Sequence, residues 1–187
     1  NLMKEIGWKF RTEICWYKQN AVGKQTAWGS FCSCSNPIIR RTNEYILVFS
    51  KGDWKLEGDS ELSDMTKEEF CEYTLSTWFI SPETRKMAGH PASFPEELVK
   101  RLVKLFSYRG DLILDPFNGT GTTTYVAKKF ARNYIGIDIS EDYCQFARER
   151  IETVVDLFDN KYIPRSKRLE KKKKVEVEKK EDLFSGI

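Results

Sequence analysis

The sequence predicts an α/β fold whose sheet is mostly parallel. Two short apolar runs, 112–114 and 134–138, have the composition of buried strands. Each run is followed by a segment with helical spacing of apolar residues, 122–130 and 140–155. Strands and helices that alternate in such short steps are typical of parallel βαβ units, so we expect helices packed on a parallel sheet.

The length and composition predict a folded chain with a charged end. The chain has 187 residues, of which 40% are apolar and 13% aromatic, enough for a domain with a hydrophobic core. The net charge is only +3, but the last 27 residues contain ten Lys/Arg and five Asp/Glu. We expect this basic tail, 161–187, either to follow nucleic-acid phosphates or to be a solvated, partly disordered end.

The five cysteines do not form an even set, and the sequence has neither a signal peptide nor an apolar run of membrane length. A reducing, cytoplasmic location without membrane partners is therefore expected. Cys32 and Cys34 are spaced as zinc ligands can be, but the single histidine, His90, belongs to a different motif. We expect free thiols and no metal site.

The first half of the chain predicts two strands separated by a long loop. Residues 1–9 resemble the middle of a helix and the turn after it, and 10–17 form a β-type run. Residues 44–50, EYILVFS, are apolar without helical spacing, which indicates a buried strand. The loop 20–41 between the strands is rich in Gly, Ser, Asn and Thr, and loops of this length are usually functional or disordered.

The middle of the chain predicts a polar connection and then a long helix. Residues 51–77 are polar, with a short helix expected over 66–73. The sequence SFPE (93–96) matches a capping box, so the next helix is predicted to begin at Ser93 and to end at 108–110. Its apolar residues recur at three- and four-residue spacing, which predicts one face packed on a sheet.

The turn between the two core strands is the strongest functional signal. Its sequence, DPFNGTGTT (115–123), follows a strand and opens a helix, and ligands of open α/β sheets bind at the carboxyl ends of strands. Gly119 and Gly121 are expected to leave room for an adenosyl group. Asp138, at the end of the next strand, is placed to accept hydrogen bonds from both hydroxyl groups of a ribose.

The residues of this turn discriminate between nucleotide ligands. A phosphate-binding P-loop needs Gly-Lys-Ser/Thr, which the sequence lacks, and the dinucleotide motif needs glycine where Thr124 stands. The turn has no basic residue. The carboxylate of Asp115 would repel a pyrophosphate, whereas it would attract the sulfonium and amino groups of S-adenosylmethionine. The turn therefore favours S-adenosylmethionine over NAD, and a purely structural glycine turn is the remaining alternative.

Three blocks of sequence stand in an order that is specific to one family. They are TEICWYKQN (12–20) with GSFCSCSNPIIRRTNEYILVFSKG (29–52), GHPASFPEELVKRLV (89–103), and DPFNGTGTT (115–123) with YIGIDIS (134–140). Together they resemble the N4-cytosine/N6-adenine DNA methyltransferases, in the class whose catalytic motif precedes the cofactor motif. The first block is similar to the region after the catalytic loop, the second to motif X, and the third to motifs I and II.

The resemblance covers about residues 10–155 and implies a Rossmann-like S-adenosylmethionine-dependent methyltransferase fold that is incomplete in this chain. It also implies individual roles. The methionine part of the donor would be lined by Asp115, Phe117, Gly119, Gly121 and Thr122, the ribose would be bound by Asp138, and the motif X wall would consist of His90, Pro91 and Phe94. Structural alternatives are a turn residue for His90 and ordinary core positions for Phe94 and Phe117.

The loop 18–41 is the preferred candidate for DNA contacts. It combines amides, hydroxyls, an aromatic ring and basic groups, which suit phosphate positioning and the reading of base edges. Its candidate residues are Lys18, Lys24, Trp28, Arg40 and Arg41. The segment 51–77 is less favoured because it is acidic overall, and a solvated loop is the alternative for both segments.

The reaction of this family needs a second site. An exocyclic amine is a poor nucleophile because its lone pair is delocalised into the ring. The family places a Ser/Asp/Asn-Pro-Pro-aromatic loop against the flipped base, where acceptors bind the amino hydrogens. No Pro-Pro pair occurs in this sequence, so no catalytic residue is expected in this chain. Since the chain starts at Asn1, we expect a C-terminal fragment or one half of a split enzyme.

These inferences predict a chain of four parts. They are the end of a catalytic subdomain (1–52), a linker or target-recognition segment (53–88), the donor-binding region (89–160) and the basic tail (161–187). The expected partners are double-stranded DNA and a missing N-terminal segment or complementary chain that carries the catalytic loop. The expected activity is DNA methylation, as in restriction–modification, with cytosine N4 favoured over adenine N6 by the likeness of GSFCSCSNP. Alternatives are a non-catalytic subunit that binds the donor or DNA, and a methyltransferase acting on RNA or protein.

Overall fold

The structure, a computed structural model, describes residues 2–18, 29–39, 41–83 and 94–154. Some of the predictions lie outside these residues. They concern the candidate DNA contacts Lys24, Trp28 and Arg40, the motif X residues His90 and Pro91, the helix cap at Ser93, and the basic tail.

The described elements are strands and helices, which alternate after the second strand. They are α1 (Leu2–Glu5), β1 (Trp8–Tyr17), β2 (Asn43–Lys51), α2 (Lys67–Tyr73), β3 (Thr77–Phe79), α3 (Glu96–Phe106), β4 (Leu112–Asp115), α4 (Thr122–Lys129), β5 (Asn133–Gly136) and α5 (Glu141–Glu152). A 3-10 helix, Ser60–Leu62, precedes α2. No helix in the described part of the chain is long and apolar enough to cross a membrane.

The strands form two sheets. In the first, β1 pairs antiparallel with β2 and parallel with β3; in the second, β4 pairs parallel with β5. Two of these three pairings are parallel, so the prediction of an α/β fold with a mostly parallel sheet is confirmed. The strand β3 was not predicted. Its three residues are too few to show a β pattern, and it is held in place by Trp78, which is 1% exposed and pairs with Trp16.

Helix α3 lies between the first sheet and α4, as its periodicity predicts. Leu98 joins the apolar cluster that contains Trp16 and Trp78. Val99 and Val103 belong to a second cluster with Val126 of α4. The two clusters use neighbouring stripes of α3, so this helix connects the first sheet to the unit formed by β4, α4 and β5.

The predicted start of α3 is wrong. The helix begins at Glu96, and Pro95 occupies the N-cap position with an extended backbone, φ −62° and ψ 139°, and without a side-chain cap. The prediction placed Pro95 inside the first turn, which would require a helical Phe94. A residue that precedes proline is disfavoured in the helical region, so the helix starts after the proline.

The two faces of the β4–β5 sheet are covered differently. One face packs on α4, since a Cβ added to Gly136 would lie 2.9 Å from the methyl carbon of Thr124. The other face is apolar and open to solvent. Its residues Leu112, Leu114, Ile135 and Ile137 are 45%, 59%, 46% and 53% exposed. Parallel sheets of α/β proteins are normally covered on both faces, so this face lacks a layer within the described residues.

Candidate functional site

The candidate site lies at the carboxyl end of β4, where the chain turns into α4. The backbone N–H of Asn118 donates to the carbonyl oxygen of Ile137 at 2.9 Å, and the N–H of Ile137 donates to the carbonyl oxygen of Asp115 at 2.9 Å. The second core strand was predicted to reach Asp138, but β5 ends at Gly136, and the next residue, Ile137, bonds both to Asp115 of β4 and to Asn118 of the turn. Asp138 therefore faces the turn.

Asp115 closes the first bend of the turn. Its Oδ1 accepts the backbone N–H of Phe117 at 2.9 Å, a side-chain contact that stabilises a tight turn after a strand. The ring of Phe117 is 88% exposed as a result. The alternative that Phe117 is ordinary core is wrong, and its ring is available to an external group.

Asp138 joins the turn to the start of α5. Its Oδ2 accepts the backbone N–H of Gly119 at 2.8 Å, and its Oδ1 accepts the N–H of Ser140 at 3.0 Å. An ionised carboxylate has no proton to donate and can only accept hydrogen bonds. The carboxylate is thus fixed in orientation by the backbone while its chemistry still suits the hydroxyl groups of a ligand.

The two glycines of the turn have left-handed backbone conformations, with φ of 50° at Gly119 and 80° at Gly121. Such conformations are strained for residues with a Cβ. The expectation that Gly121 leaves room for an adenosyl group stays a prediction. A Cβ at this position would lie 2.6 Å from the Cβ of Ala147, so glycine is required by the close approach of α5.

Thr122 has a different environment from the one expected for a ligand contact. It is 6% exposed, and its hydroxyl oxygen accepts a hydrogen bond from Arg150 of α5 at 3.1 Å. Its contact with the donor stays a prediction.

Asn118 was missed by sequence reasoning. Its Oδ1 accepts the hydroxyl of Thr124 at 3.1 Å, and its amide nitrogen would lie 2.5 Å from a Cβ at Gly136. The side chain therefore fills the space above a glycine of β5 and locks the turn to that strand. Its position within the turn sequence was visible, but nothing in the sequence showed which group it would contact.

Phe94, just before α3, packs on the first sheet. Its ring packs edge-to-face on Trp16, with 6.4 Å between ring centroids, and remains 55% exposed. The indole of Trp16 donates to the carbonyl oxygen of Ile80 at 2.8 Å, which fixes the ring at the carboxyl ends of β1 and β3. Phe94 thus stands two residues before α3, partly accessible.

The described candidates for DNA contact have contrasting surroundings. The ammonium of Lys18 lies against the carboxylate of Glu44 and 4.9 Å from the ring centre of Trp16. Glu44 thus orders the start of the long loop and balances part of the charge of Lys18. Arg41 is exposed. Between them, residues 29–39 form a turn closed by a bridge between Gly29 and Pro37.

The chemistry of the site follows from its charges. Two carboxylates, Asp115 and Asp138, stand at the ends of neighbouring parallel strands, and the sequence from 115 to 124 contains no basic residue. Such a site can accept hydrogen bonds from hydroxyl groups and attract a cation, whereas it would repel phosphate. These donor and acceptor groups fit a sulfonium-bearing nucleoside.

Comparison with known proteins gives a family match over most of the chain. Residues 1–149 match the model of a family described as DNA methylase. The Type II methyltransferase M.MjaI of Methanocaldococcus jannaschii is 36% identical over 156 residues, which cover 79% of this chain and 51% of that protein. The Type II methyltransferase M.BglI of Bacillus subtilis is 35% identical over 159 residues, which cover 83% of this chain and 42% of that protein.

A solved structure supports the same relationship. The putative DNA modification methylase from Thermus thermophilus, complexed with S-adenosyl-L-methionine, has a TM-score of 0.65 and 31% sequence identity. The match covers 83% of this chain and 58% of that one. The chain spans about half the length of the curated relatives that it matches.

Proposed function

Because this chain belongs to the DNA methylase family, we propose that it is the donor-binding part of a DNA methyltransferase. It would bind S-adenosylmethionine and serve the transfer of the methyl group to an exocyclic amino group in a specific DNA sequence. The observation that carries this proposal is the pair of carboxylates, Asp115 and Asp138, on a glycine turn without basic residues.

Different residues of the site would contact different parts of the donor. Asp138 would accept hydrogen bonds from the ribose hydroxyls, because its carboxylate is an acceptor that two backbone amides hold in a fixed orientation. Asp115, Phe117, Gly119, Gly121 and Thr122 would line the methionine part. Together with His90 and Pro91, Phe94 would close this part from the side of α3. When bound, S-adenosylmethionine supplies an activated methyl group on a positively charged sulfur.

A complementary segment would supply the chemistry at the acceptor base. The sequence contains no Pro-Pro pair, and the chain spans about half of its curated relatives. We propose that an N-terminal segment or a second chain carries the Ser/Asp/Asn-Pro-Pro-aromatic loop. The open apolar face of β4–β5 supports this, because a covering layer would bury Leu112, Leu114, Ile135 and Ile137.

Double-stranded DNA would approach the carboxyl edge of the strands. The loop 18–41 leaves β1 at that edge, near Trp16 and Phe94. The segment 58–64 is held at the opposite end of the β4–β5 sheet by contacts that precede both strands. This arrangement favours 18–41 over the segment 58–64 for target recognition, through Lys18, Lys24, Trp28, Arg40 and Arg41. A DNA substrate would place the protein in the cytoplasm.

The acceptor atom proposed is N4 of cytosine rather than N6 of adenine. Only the likeness of GSFCSCSNP to the cytosine-N4 enzymes supports this choice. Transfer of a labelled methyl group by the chain joined to its complementary segment, followed by separation of the nucleosides, measures it directly. Label in N4-methylcytosine is expected. Label in N6-methyladenine would reverse the choice of base, and label in RNA alone would support an RNA methyltransferase.

Donor binding is tested by calorimetry on the chain itself. The Asp138→Ala variant is expected to bind S-adenosylmethionine about 10- to 100-fold more weakly, since hydrogen bonds to a charged group contribute about 1.5–3 kcal/mol. The matched control is Asp142→Ala, which removes a nearby exposed carboxylate, in the first turn of α5, and should leave affinity unchanged. Absence of heat with the wild type, or equal binding by Asp138→Ala, would refute the donor assignment.

A further inference from the structure

Arg150, near the end of α5, lies behind the donor turn. Its side chain is 10% exposed. One guanidinium nitrogen donates to the hydroxyl of Thr122 at 3.1 Å and to the carbonyl oxygen of Thr120 at 3.4 Å. The other terminal nitrogen donates to the carboxylate of Glu96 at 2.9 Å. The guanidinium also lies 4.5 Å from the ring centre of Tyr125. One side chain therefore joins α5 to the turn, to α4 and to the first residue of α3.

Helix α5 supports the turn at three successive places. At its start, Asp138 accepts the amides of Gly119 and Ser140. In the middle of α5, Ala147 lies close to Gly121: a Cβ added to Gly121 would lie 3.0 Å from the Cα of Ala147. At its end, Arg150 holds Thr120 and Thr122. The turn is thus fixed from behind along most of the helix.

The contacts of Arg150 are made with protein groups, which distinguishes it from a ligand-binding residue. A planar guanidinium can hold two partners in fixed relative positions, which a lysine ammonium cannot do as well. Here the two partners are the first residue of α4 and the first residue of α3. Arg150 therefore fixes the start of α4 relative to the start of α3.

We infer that Arg150 is a positioning residue for the donor site, which sets the turn 120–122 against the start of α3. This inference rests on the proposed function, because the ligand concerned is the proposed methyl donor. The turn and the segment before α3 are the parts proposed to hold the methionine moiety. Arg150 therefore affects the methionine end of the ligand, while Asp138 serves the ribose.

The test compares two kinds of ligand on the 187-residue chain. S-adenosylmethionine and S-adenosylhomocysteine contain the amino-acid moiety, whereas 5′-methylthioadenosine lacks it. With Arg150→Met, calorimetry should show about 10-fold weaker binding of the first two ligands, the loss typical of a hydrogen bond to a charged group. Binding of 5′-methylthioadenosine should change by less than about two-fold. The Arg150→Lys variant, which keeps the charge but not the planar fork, should give an intermediate, equally selective loss.

Two further variants separate positioning from general stability. Arg148→Met removes an arginine from the same helix whose pair with Glu141 is exposed, 61% and 81%, and should change neither binding nor stability. Glu96→Gln removes the carboxylate partner of Arg150 at a site that is 42% exposed, so this variant should fold. Binding of S-adenosylmethionine is expected to weaken only about three-fold, with the same selectivity, because the glutamine oxygen still accepts a hydrogen bond that is weaker without the charge.

The outcomes distinguish this inference from the proposed function. If the wild-type chain binds S-adenosylmethionine and both Arg150→Met and Glu96→Gln bind it equally well, the inference about Arg150 is overturned while the proposed function stands. Equal weakening of all three ligands would also overturn it, because it would indicate a general loss of structure. Wild-type chain that binds none of the ligands would overturn the proposed function, and this inference with it.

Discussion

Two nearly buried arginines hold opposite ends of the unit formed by β4, α4 and β5. Arg132 precedes β5, and its side chain is fully buried; Arg150 lies beside the turn that follows β4 and is 10% exposed. The partners of Arg132 are Asp64, Ser107 and the carbonyl oxygen of Phe130, all at the end where the two strands begin. The partners of Arg150 belong to the functional turn and to α3.

The two ends differ in whether their polar groups bond within the protein or face the proposed ligand site. At the amino end, Arg132 and Asp64 form a bidentate pair with distances of 2.6 and 2.8 Å, and the amide of Arg109 donates to the carbonyl oxygen of Leu62 at 3.1 Å. These contacts attach the segment before α2 to the sheet. At the carboxyl end, the carboxylates of Asp115 and Asp138, which can only accept hydrogen bonds, stand at a turn without a basic residue. The amino end anchors the fold, and the carboxyl end is organised for binding.

The largest effect should follow from removing the amino-end arginine. Arg132→Met breaks a buried pair and leaves the carboxylate of Asp64, 20% exposed, without its partner. Loss of about 3–5 kcal/mol of unfolding free energy is expected. Denaturant unfolding measures it. In the fraction that remains folded, affinity for S-adenosylmethionine should stay within about two-fold, because a contact at the far end of the strands is expected to act independently of the turn.

The exposed pair on α5 provides the control. Arg148→Met also removes an arginine, but from an exposed pair, and should leave the free energy of unfolding unchanged. A cost for Arg132→Met similar to that for Arg148→Met would show that the amino-end pair is not an anchor. A large loss of donor affinity in folded Arg132→Met would remove the distinction between the two ends.

Two glycines extend the comparison to the backbone. Gly121 at the carboxyl end and Gly110 at the amino end have similar left-handed conformations, with φ of 80° and 78°. A Cβ at Gly121 would meet Ala147 at 2.6 Å, whereas one at Gly110 would have nothing within 4 Å. Gly110→Ala should therefore cost only the backbone strain, about 1–2 kcal/mol. Gly121→Ala should cost about 1–3 kcal/mol more, from overpacking against α5.

Urea unfolding of both alanine variants measures this difference, since their strain is matched and only their surroundings differ. Equal costs would mean that α5 moves away from the turn readily, and the support attributed to Ala147 and Arg150 would then be weak. A donor-binding loss confined to Gly121→Ala is also expected, because the turn and not the amino end carries the site.

Sequence reasoning was most successful where the signal was local. The two strands of the glycine turn, the helix after it and the cap at Ser140 depend on neighbouring residues, and the structure contains them. The short helix α2, which ends at Tyr73, was also predicted, and Thr66 forms a capping box with Glu69 at its start. Such features depend on propensity, capping and periodicity within one or two turns of chain.

The features that sequence reasoning missed depend on distant partners. Arg150 is 54 residues from Glu96, and Arg132 is 68 residues from Asp64. A charged residue in a helix pattern indicates a solvated face, and nothing local shows that it is buried against a partner from another element. The same reason explains why the close contact at Gly121 was not predicted, since the residue that crowds it belongs to the helix after the next strand.

The smallest effect expected is an acid dependence at the amino end of the unit. The ammonium of Lys104 of α3 donates hydrogen bonds to both carboxylate oxygens of Glu69 of α2, at 2.6 and 2.9 Å. Burial alone would raise the pKa of Glu69, but the hydrogen bond and charge of Lys104, the backbone N–H of Thr66 and the hydrogen bond from Lys100 together lower its pKa from 4.5 to about 2. The folded state therefore favours the ionised carboxylate.

The sign of the pH dependence follows from this lowered pKa. The stabilisation from Glu69 is present above its unfolded pKa of 4.5 and is lost as the pH falls from there towards about 2. Because the carboxylate is only partly buried, we expect a contribution of about 1 kcal/mol or less at neutral pH. Urea unfolding of wild type and Glu69→Gln between about pH 6 and about pH 3 should therefore converge as the pH falls. Parallel curves across this range would show that the pair with Lys104 does not stabilise the fold, and that the amino end depends on Arg132 and Asp64.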